Sequence, residues 1–320
     1  GQVLVESAGD RGVLEEIALQ MRSVHHVQVP IYGFELPAGD KLGQIERALE
    51  AVAVEPLREA GCFRVTTKRN GRHEFTSIDV QRVAGAALGR HYGCAVDLEH
   101  PDVNVRVDVY DCVCLVGLQL TERALSKRYR RRFQPRAALK APVAYALLQW
   151  ARLAPDAQGA LLDPFCGSGT ILIEAAQLYP RLELYGCDID ERAVKGTREN
   201  AAVEGVEGRL QLLRADARTL SAVYGAGRFR AIVTNPPYGI KFGQHLNFDR
   251  FYRRILQEFW TLLAAEGMLV VVVFKRTIFY RALVQSGLFK TLEERVVETG
   301  DVHPAVYVLQ KIAADQSAME

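Results

Sequence analysis

Long apolar runs are missing from this sequence. The longest, Met268–Phe274, falls far short of the roughly 20 residues a helix needs to cross a bilayer. No secretory leader is read at the start either. Charge of one sign is also lacking: 40 Lys and Arg against 38 Asp and Glu leave a formal net charge of +2. The molecule as a whole is therefore no polycation, and any nucleic-acid surface must come from local clusters. The six cysteines contain no Cys-x-x-Cys pair, which removes the common zinc and dithiol signatures. Cys112 and Cys114 share one face of a predicted strand and are expected to be buried small apolar side chains rather than ligands. No metal site is expected. The chain is read as cytoplasmic, with reduced thiols. What is present is 320 residues, 49% of them hydrophobic, enough to bury two cores.

The most informative stretch is Asp163-Pro164-Phe165-Cys166-Gly167-Ser168-Gly169-Thr170. A short apolar strand, Gly159–Leu162, precedes it, and a helical pattern, Ile171–Ala176, follows. Two glycines let the backbone approach a ligand closely, and a helix N-terminus offers unpaired N–H groups with partial positive charge. A Walker loop requires Gly-Lys-Ser/Thr, and there is no lysine. A dinucleotide fingerprint requires a third glycine three residues after Gly169, where Leu172 stands. A third reading is a site for S-adenosyl-L-methionine, which carries no phosphate. Its amino group requires a carboxylate or carbonyl and its carboxylate requires backbone N–H groups; Asp163 and the Gly167–Thr170 turn offer both. A plain strand-to-helix turn, common in α/β proteins, competes with these.

Three further strand ends bear on the choice. Leu182–Cys187 ends in Asp188-Ile189-Asp190, where Asp188 suits a pair of ribose hydroxyls and Ile189 an adenine face. Arg209–Ala215 ends in Asp216-Ala217, with the acid placed to accept from an adenine amino group. Phe229–Thr234 ends in Asn235-Pro236-Pro237-Tyr238. Four strand ends in order, at βα spacing, carry ligand-type residues.

The pattern resembles the class I S-adenosylmethionine-dependent methyltransferases that act on amino groups, which carry D-P-F-x-G-S-G-T and (N/D)-P-P-Y elements. The front part, Phe63–Arg69 and His73–Ser77 followed by a helix, looks like a THUMP domain. The resemblance runs roughly from Phe63 to Lys311 and points to the THUMP-containing tRNA guanine-N2 methyltransferases. It implies an α/β fold: a C-terminal seven-stranded Rossmann-like sheet with an antiparallel last strand, preceded by an α+β ferredoxin-like and THUMP region. Expected limits are 1–60 for a partial ferredoxin-like region, 61–122 for the THUMP domain, 123–136 for a basic linker and 137–320 for the methyltransferase domain. Family members usually carry more residues before the position of Gly1, and no initiator Met is present, so a fragment is expected. In similar enzymes the turn Arg136-Ala137-Ala138-Leu139 helps close the cofactor pocket.

Asn-Pro-Pro-Tyr suits an exocyclic amine, whose lone pair is delocalised into its ring. The Asn235 side-chain oxygen and the Pro236 carbonyl can hold both amino hydrogens off the base plane. Pro237 stiffens the loop, and Tyr238 can stack on the base, worth roughly 1–3 kcal/mol. A rigid turn is the competing reading. Gly239–Gly243 is expected to form a lip over the substrate. Phe274-Lys275-Arg276 is a candidate substrate contact, with a helix-start surface as the alternative. Arg64, Lys68, Arg69 and Arg72 make the front strand locally basic, as does the denser Lys127, Arg128, Arg130, Arg131 and Arg132 between the domains. Both are candidate phosphate contacts, against a solvated edge and a solvated linker. The expected partner is tRNA, with a monomeric enzyme. Alternatives are ribosomal RNA guanine, adenine N6 of RNA or DNA, a protein glutamine, or a non-catalytic RNA-binding protein.

Other elements read as follows: a strand at Val3–Val5, a helix capped by Asp10 to about Val24, a helix Leu42–Val54 with a break near Pro56, and a helix from a Ser77 cap to about His91. An alternating strand Val103–Val109 has Cys112–Leu120 as hairpin partner, and a helix covers Ala137–Leu153. Strands then fall near 160–163, 183–188, 209–214, 229–235, 267–275, 291–299 and 303–311. The last pair must be a hairpin, because the gap is too short for a crossover.

Overall fold

The computed structural model describes residues 3, 5, 6, 11–135, 138–238, 247–297 and 303–313. The chain forms two compact units, Gly1–Leu125 and Ser126–Glu320. No helix among the described residues is long and apolar enough to cross a membrane.

The first unit runs α1 (Arg11–Leu19), β1 (Gln28–Glu35), α2 (Lys41–Ala51), β2 (Cys62–Thr66), β3 (Arg69–Asn70), α3 (Ser77–Tyr92), β4 (Ala95–Val96), β5 (Val103–Tyr110) and β6 (Val113–Gln119). Its main sheet has the order β1-β6-β5-β2-β4. Alternation makes the core: Val105, Val107 and Val109 bury one face of β5 against Ile45, Leu49, Val80, Ala84 and Leu88 of α2 and α3. Each such side chain contributes about 1.5–3 kcal/mol when fully buried.

Several expectations change here. Val3 and Val5 lie in no strand and Leu4 is outside the described residues; the first strand among the described residues is β1, which the pattern did not reveal. The first helix stops at Leu19, and Ile17 and Met21 are exposed; Asp10 lies outside the described residues. The cap of α3 is Thr76, not Ser77. Thr76 accepts from the Asp79 N–H while Asp79 accepts from the Thr76 N–H, a reciprocal capping box. Cys114 is buried, but Cys112 sits exposed in the β5–β6 turn beside Asp111 at φ 49°. The break near Pro56 is real: Val52 is extended, and a separate 3-10 turn covers Glu55–Arg58.

The second unit runs α4 (Ala141–Trp150), β7 (Gly159–Asp163), α5 (Thr170–Leu178), β8 (Leu182–Asp188), α6 (Glu191–Val203), β9 (Leu210–Arg214), α7 (Ser221–Tyr224), β10 (Phe229–Thr234), α8 (Phe248–Leu262), β11 (Leu263–Val273), α9 (Arg276–Ser286), β12 (Phe289–Val296) and β13 (Ala305–Lys311). The sheet order is β12-β13-β11-β10-β7-β8-β9. β13 runs antiparallel to both β11 and β12, so the hairpin reading holds; its connection, 298–302, lies outside the described residues. The central strands are apolar on both faces because helices cover both. Phe251, Ile255 and Phe259 of α8 lie on one side, and Leu147, Leu148, Ile171 and Leu172 of α4 and α5 on the other. The helix expected over Ala137–Leu153 is shorter. Pro142 has no N–H to bond a carbonyl one turn back and its ring crowds that turn, so α4 begins at Ala141 after an extended Lys140 (ψ 141°).

In this order β7 and β10 are neighbours, paired in parallel with Leu161 opposite Ala231 and Leu162 opposite Ile232. Chain direction from β7 goes one way to β8 and β9 and the other way to β10 and β11. Ligands bind at such reversals, beyond the carboxyl ends of the strands.

Candidate active site

Four of the strand ends singled out above, those of β7, β8, β9 and β10, lie along one edge of the sheet. Asp163 ends β7 and is 1% exposed. It accepts from the Thr234 hydroxyl at 2.7 Å and the Phe165 N–H at 3.1 Å. Burial pushes its carboxyl up to about 7. Thr234 ends β10, one residue before Asn235, so this bond ties the glycine turn to the Asn-Pro-Pro-Tyr loop. Asp163 therefore faces the protein rather than an open surface.

The glycine turn is held from several sides. Gly167 and Gly169 have φ of 54° and 79°, the left-handed region that a Cβ disfavours. A Cβ on Gly169 would lie 2.7 Å from Thr197 Cγ2, whereas one on Gly167 would meet nothing nearer than Phe165 O at 3.9 Å. The turn is thus closed toward α6 and open above Gly167. Thr197 Oγ1 donates to Gly167 O at 3.0 Å, and Asn200 Nδ2 donates to Ser168 O at 3.0 Å. The Cys166 N–H donates to Cys187 O at 2.8 Å. The Ser168 and Thr170 hydroxyls lie 3.2 Å apart. Cys166 is buried, and Phe165 packs edge-on against Phe259, with ring centroids 6.5 Å apart.

Asp188 accepts from the Gly167 N–H at 3.1 Å and from the Asp190 N–H at 3.0 Å. Burial raises its carboxyl above the ordinary value, against those two bonds. Beside it Ile189 is 62% exposed, an unusual display for isoleucine. Asp216 does not stand free: the Arg218 guanidinium donates to both its oxygens, at 2.9 Å for Nε to Oδ1, and this pairing holds the Asp216 carboxyl below its ordinary value. Ala217 is buried. Asp216, Arg218, Asp249, Arg250 and Arg254 line one open cleft, and Ile189, Glu191, Lys195 and Arg214 another.

At the β10 end, Pro236 is buried while Asn235, Pro237 and Tyr238 are half-buried. The Tyr238 hydroxyl donates to Asn235 Oδ1, and the Tyr238 ring lies on Phe274 with centroids 3.6 Å apart. Burial pushes the Tyr238 phenol up to about 12, so it is a donor at any ordinary pH. Arg276 pairs with Glu294 at 2.6 Å, which fits the helix-start alternative. The expected lip, 239–243, lies outside the described residues.

The basic stretch divides. Arg128 pairs with Glu174, which is fully buried, at 2.9 Å; the Tyr129 hydroxyl donates to the same carboxylate. Arg131 donates to Leu139 O at 2.9 Å and Thr170 Oγ1 at 3.0 Å. Lys127, Arg130 and Arg132 are exposed. The Ala138 N–H donates to Pro135 O at 3.0 Å, and Arg136 and Ala137 lie outside the described residues. In the first unit Lys68 and Arg72 are exposed and Arg69 half-buried, and Arg64 donates to Leu98 O at 3.2 Å.

Sequence reasoning missed Thr234, Thr197, Asn200 and Glu174. One signal was legible: Ala193, Gly196, Thr197, Asn200 and Ala201 recur at helical spacing and form the buried face of α6. A face of small and polar residues lets backbone approach.

A family model described as RMKL-like, methyltransferase domain matches residues 128–305, and a THUMP domain model matches 40–119. The chain is 39% identical, over 94% of its length and 88% of the relative's, to the tRNA (guanine(6)-N2)-methyltransferase of Thermus thermophilus. It is 30% identical to the human U6 snRNA (guanine-N(2))-methyltransferase THUMPD2, over 66% of this chain and 40% of that one. It resembles the crystal structure of TrmN from Thermus thermophilus with a TM-score of 0.81 and 38% identity, covering 96% of this chain and 88% of that one. The two-unit chain, its switch-point crevice and these matches agree: the protein belongs to the THUMP-containing class I methyltransferases, the family that includes these guanine-N2 enzymes.

Proposed function

We infer that this chain methylates the exocyclic N2 amino group of a guanine in tRNA, in the acceptor stem, using S-adenosyl-L-methionine. The THUMP region docks the tRNA, and the enzyme acts as a cytoplasmic monomer. The observation that carries this reading is the Thr234–Asp163 bond at 2.7 Å, because it couples a cofactor-type turn to an amine-type loop on adjacent strands. The names of the relatives supply the base and the RNA. The working division is a front region 1–60, a docking domain 61–122, a basic linker 123–136 and a catalytic domain 137–320.

The residues present fit the cofactor. Open space above Gly167 admits a ligand against backbone, the half-buried Asp188 carboxylate suits vicinal hydroxyls, and exposed Ile189 offers an apolar plate for adenine. Phe165, Cys166, Ser168, Gly169, Thr170, Asp216, Ala217 and Ala138 complete the set. When bound, S-adenosyl-L-methionine supplies an electrophilic methyl group. Everything else falls to the chain. Asn235 Oδ1 and the Pro236 carbonyl accept the two amino hydrogens and turn the nitrogen lone pair out of the ring. Oδ1 has two lone pairs, so it can accept from the base while Tyr238 still donates. As nitrogen forms its new bond, positive charge grows on it, and these fixed acceptor dipoles stabilise that charge. Orientation supplies much of the rest. The methylated ammonium is acidic enough to lose its proton to water, so no strong base is required. The guanine must leave its stack to reach the loop.

The exposed Lys127, Arg130 and Arg132, with Lys68 and Arg72, are the phosphate contacts in this reading; Arg128 and Arg131 are already engaged. Incubation of tRNA with labelled cofactor, followed by mass spectrometry of the nucleosides, tests it: N2-methylguanosine is expected, and another product refutes it. The human relative favours a second reading, a guanine in another small RNA. Substituting total small RNA for tRNA in the same assay separates the two.

A further inference from the structure

The established picture leaves Asn200 unused. It sits on α6, is 1% exposed, and belongs to none of the ligand motifs. Its amide spends its whole hydrogen-bonding capacity. Oδ1 accepts from the Arg132 N–H at 2.8 Å and the Phe133 N–H at 3.0 Å. Nδ2 donates to Phe133 O at 2.8 Å and to Ser168 O at 3.0 Å. A carboxamide has two lone pairs and two N–H groups, and all four are taken. Three of the partners belong to the basic segment and one to the glycine turn. The bonds themselves fix the amide orientation, since a flipped Asn200 would face two N–H groups with its own N–H groups.

A second contact repeats the arrangement. Phe133 lies so close over Gly196 that a Cβ there would collide with its ring, so glycine at 196 is what admits the segment. Arg131 adds a third contact, reaching Thr170 Oγ1 at the start of α5. The segment 131–133 is therefore fastened along the back of the turn whose front is the cofactor wall.

We propose that Asn200 is a positioning residue for the cofactor turn, and that through it the hold on cofactor depends on the strap Arg131–Phe133. Asn200 touches no reacting atom. It fixes Ser168 O, and with it the Ser168–Gly169 peptide plane whose N–H closes the turn on Cys166 O, only while the strap occupies its other three bonds. Removing either side leaves buried polar groups unmatched, and the turn loses the shape that the cofactor selects. This rests on the reading of the turn as the S-adenosyl-L-methionine site.

The test is calorimetric binding of S-adenosyl-L-homocysteine to the full chain, with tRNA binding measured in parallel. Asn200→Asp is the informative variant. It keeps size and both accepted bonds, but sets a carboxylate oxygen against both Ser168 O and Phe133 O. We expect at least a tenfold loss of S-adenosyl-L-homocysteine affinity, with tRNA affinity within twofold of wild type and the cofactor KM raised far more than the tRNA KM. Phe133→Ala, which loosens the strap and leaves Asn200 intact, should lose about threefold to tenfold. Wild-type affinity in Asn200→Asp overturns the inference, as does wild-type affinity in Phe133→Ala. Asn200→Asp that loses both ligands together overturns it also, because the effect is then on the fold. Failure of the wild-type chain to bind the probe at all refutes instead the reading of the turn.

Discussion

The two loops that meet in the crevice are built by opposite means. The glycine turn is held from outside: Thr197, Asn200, Asp188, Cys187 and Arg131 all bond to it from other elements. The Asn235–Tyr238 loop is held, among the described residues, largely from within. Two prolines limit its backbone, Tyr238 bonds Asn235, and Phe274 supplies a ring beneath. On the proposed reading the glycine turn is a cofactor socket shaped by tertiary contacts. The Asn235–Tyr238 loop, which would meet the base, is stiff by covalent geometry and keeps a second lone pair of its acceptor beside the Tyr238 donor. A cofactor of constant shape suits the first, and a base swung out of RNA suits the second.

The sharpest way to break this comparison is Asn235→Ala. It should lower kcat by at least about 10²–10³-fold while S-adenosyl-L-homocysteine binding, tRNA binding and thermal unfolding stay near wild type. Loss of cofactor affinity in this variant would mean that the loops are not separable. Next is the support of the socket. Arg128→Ala takes the cation away from the buried Glu174 carboxylate, and removal of one partner from a buried pair costs about 3–5 kcal/mol, readable in urea unfolding. Gly169→Ala follows: a side chain at φ 79° costs about 1–2 kcal/mol before the collision with Thr197 is added. It should weaken cofactor binding more than kcat.

A pH experiment sharpens the joint between the loops. The Asp163 pKa is raised to about 7 by burial, so between about pH 4 and pH 7 the folded chain holds a proton that the unfolded chain has lost. Stability should therefore fall as pH rises through that window, and Asp188, shifted in the same direction, adds to the slope. Asp163→Asn should flatten it in unfolding curves taken at several pH values. The smallest effect belongs to the exposed Arg130→Ala, one residue before the strap. Its stability should change by no more than about 0.5 kcal/mol, while the salt dependence of tRNA binding should lose about one unit of slope.

The front sheet was less legible than the rear one. Alternation at Val103–Val109 and the helix after Thr76 stood out, yet β1 escaped. Its residues, Gln28-Val29-Pro30-Ile31-Tyr32-Gly33-Phe34-Glu35, include a proline and a glycine that argue against a strand. It pairs with β6 all the same, across an irregularity between Pro30 and Tyr32. The helix starts misplaced by a few residues, at Ser77 and Ala137, turned on a cap bond and on a proline. Each is a contact of one residue rather than a periodic pattern.

In the second unit the sequence by itself determined the order of strands and which strand ends carry ligand-type residues, because apolar runs, glycines and prolines act over a few neighbouring residues. It also determined the terminal hairpin, through the shortness of one connection. Only the tertiary structure decided which arginines between 127 and 132 turn inward, that Asp163 bonds Thr234 across adjacent strands, and that Asn200 fastens a distant strap to the glycine turn. Those choices depend on burial and on partners tens of residues away, where the cost of an unmatched polar group, not local preference, selects the arrangement.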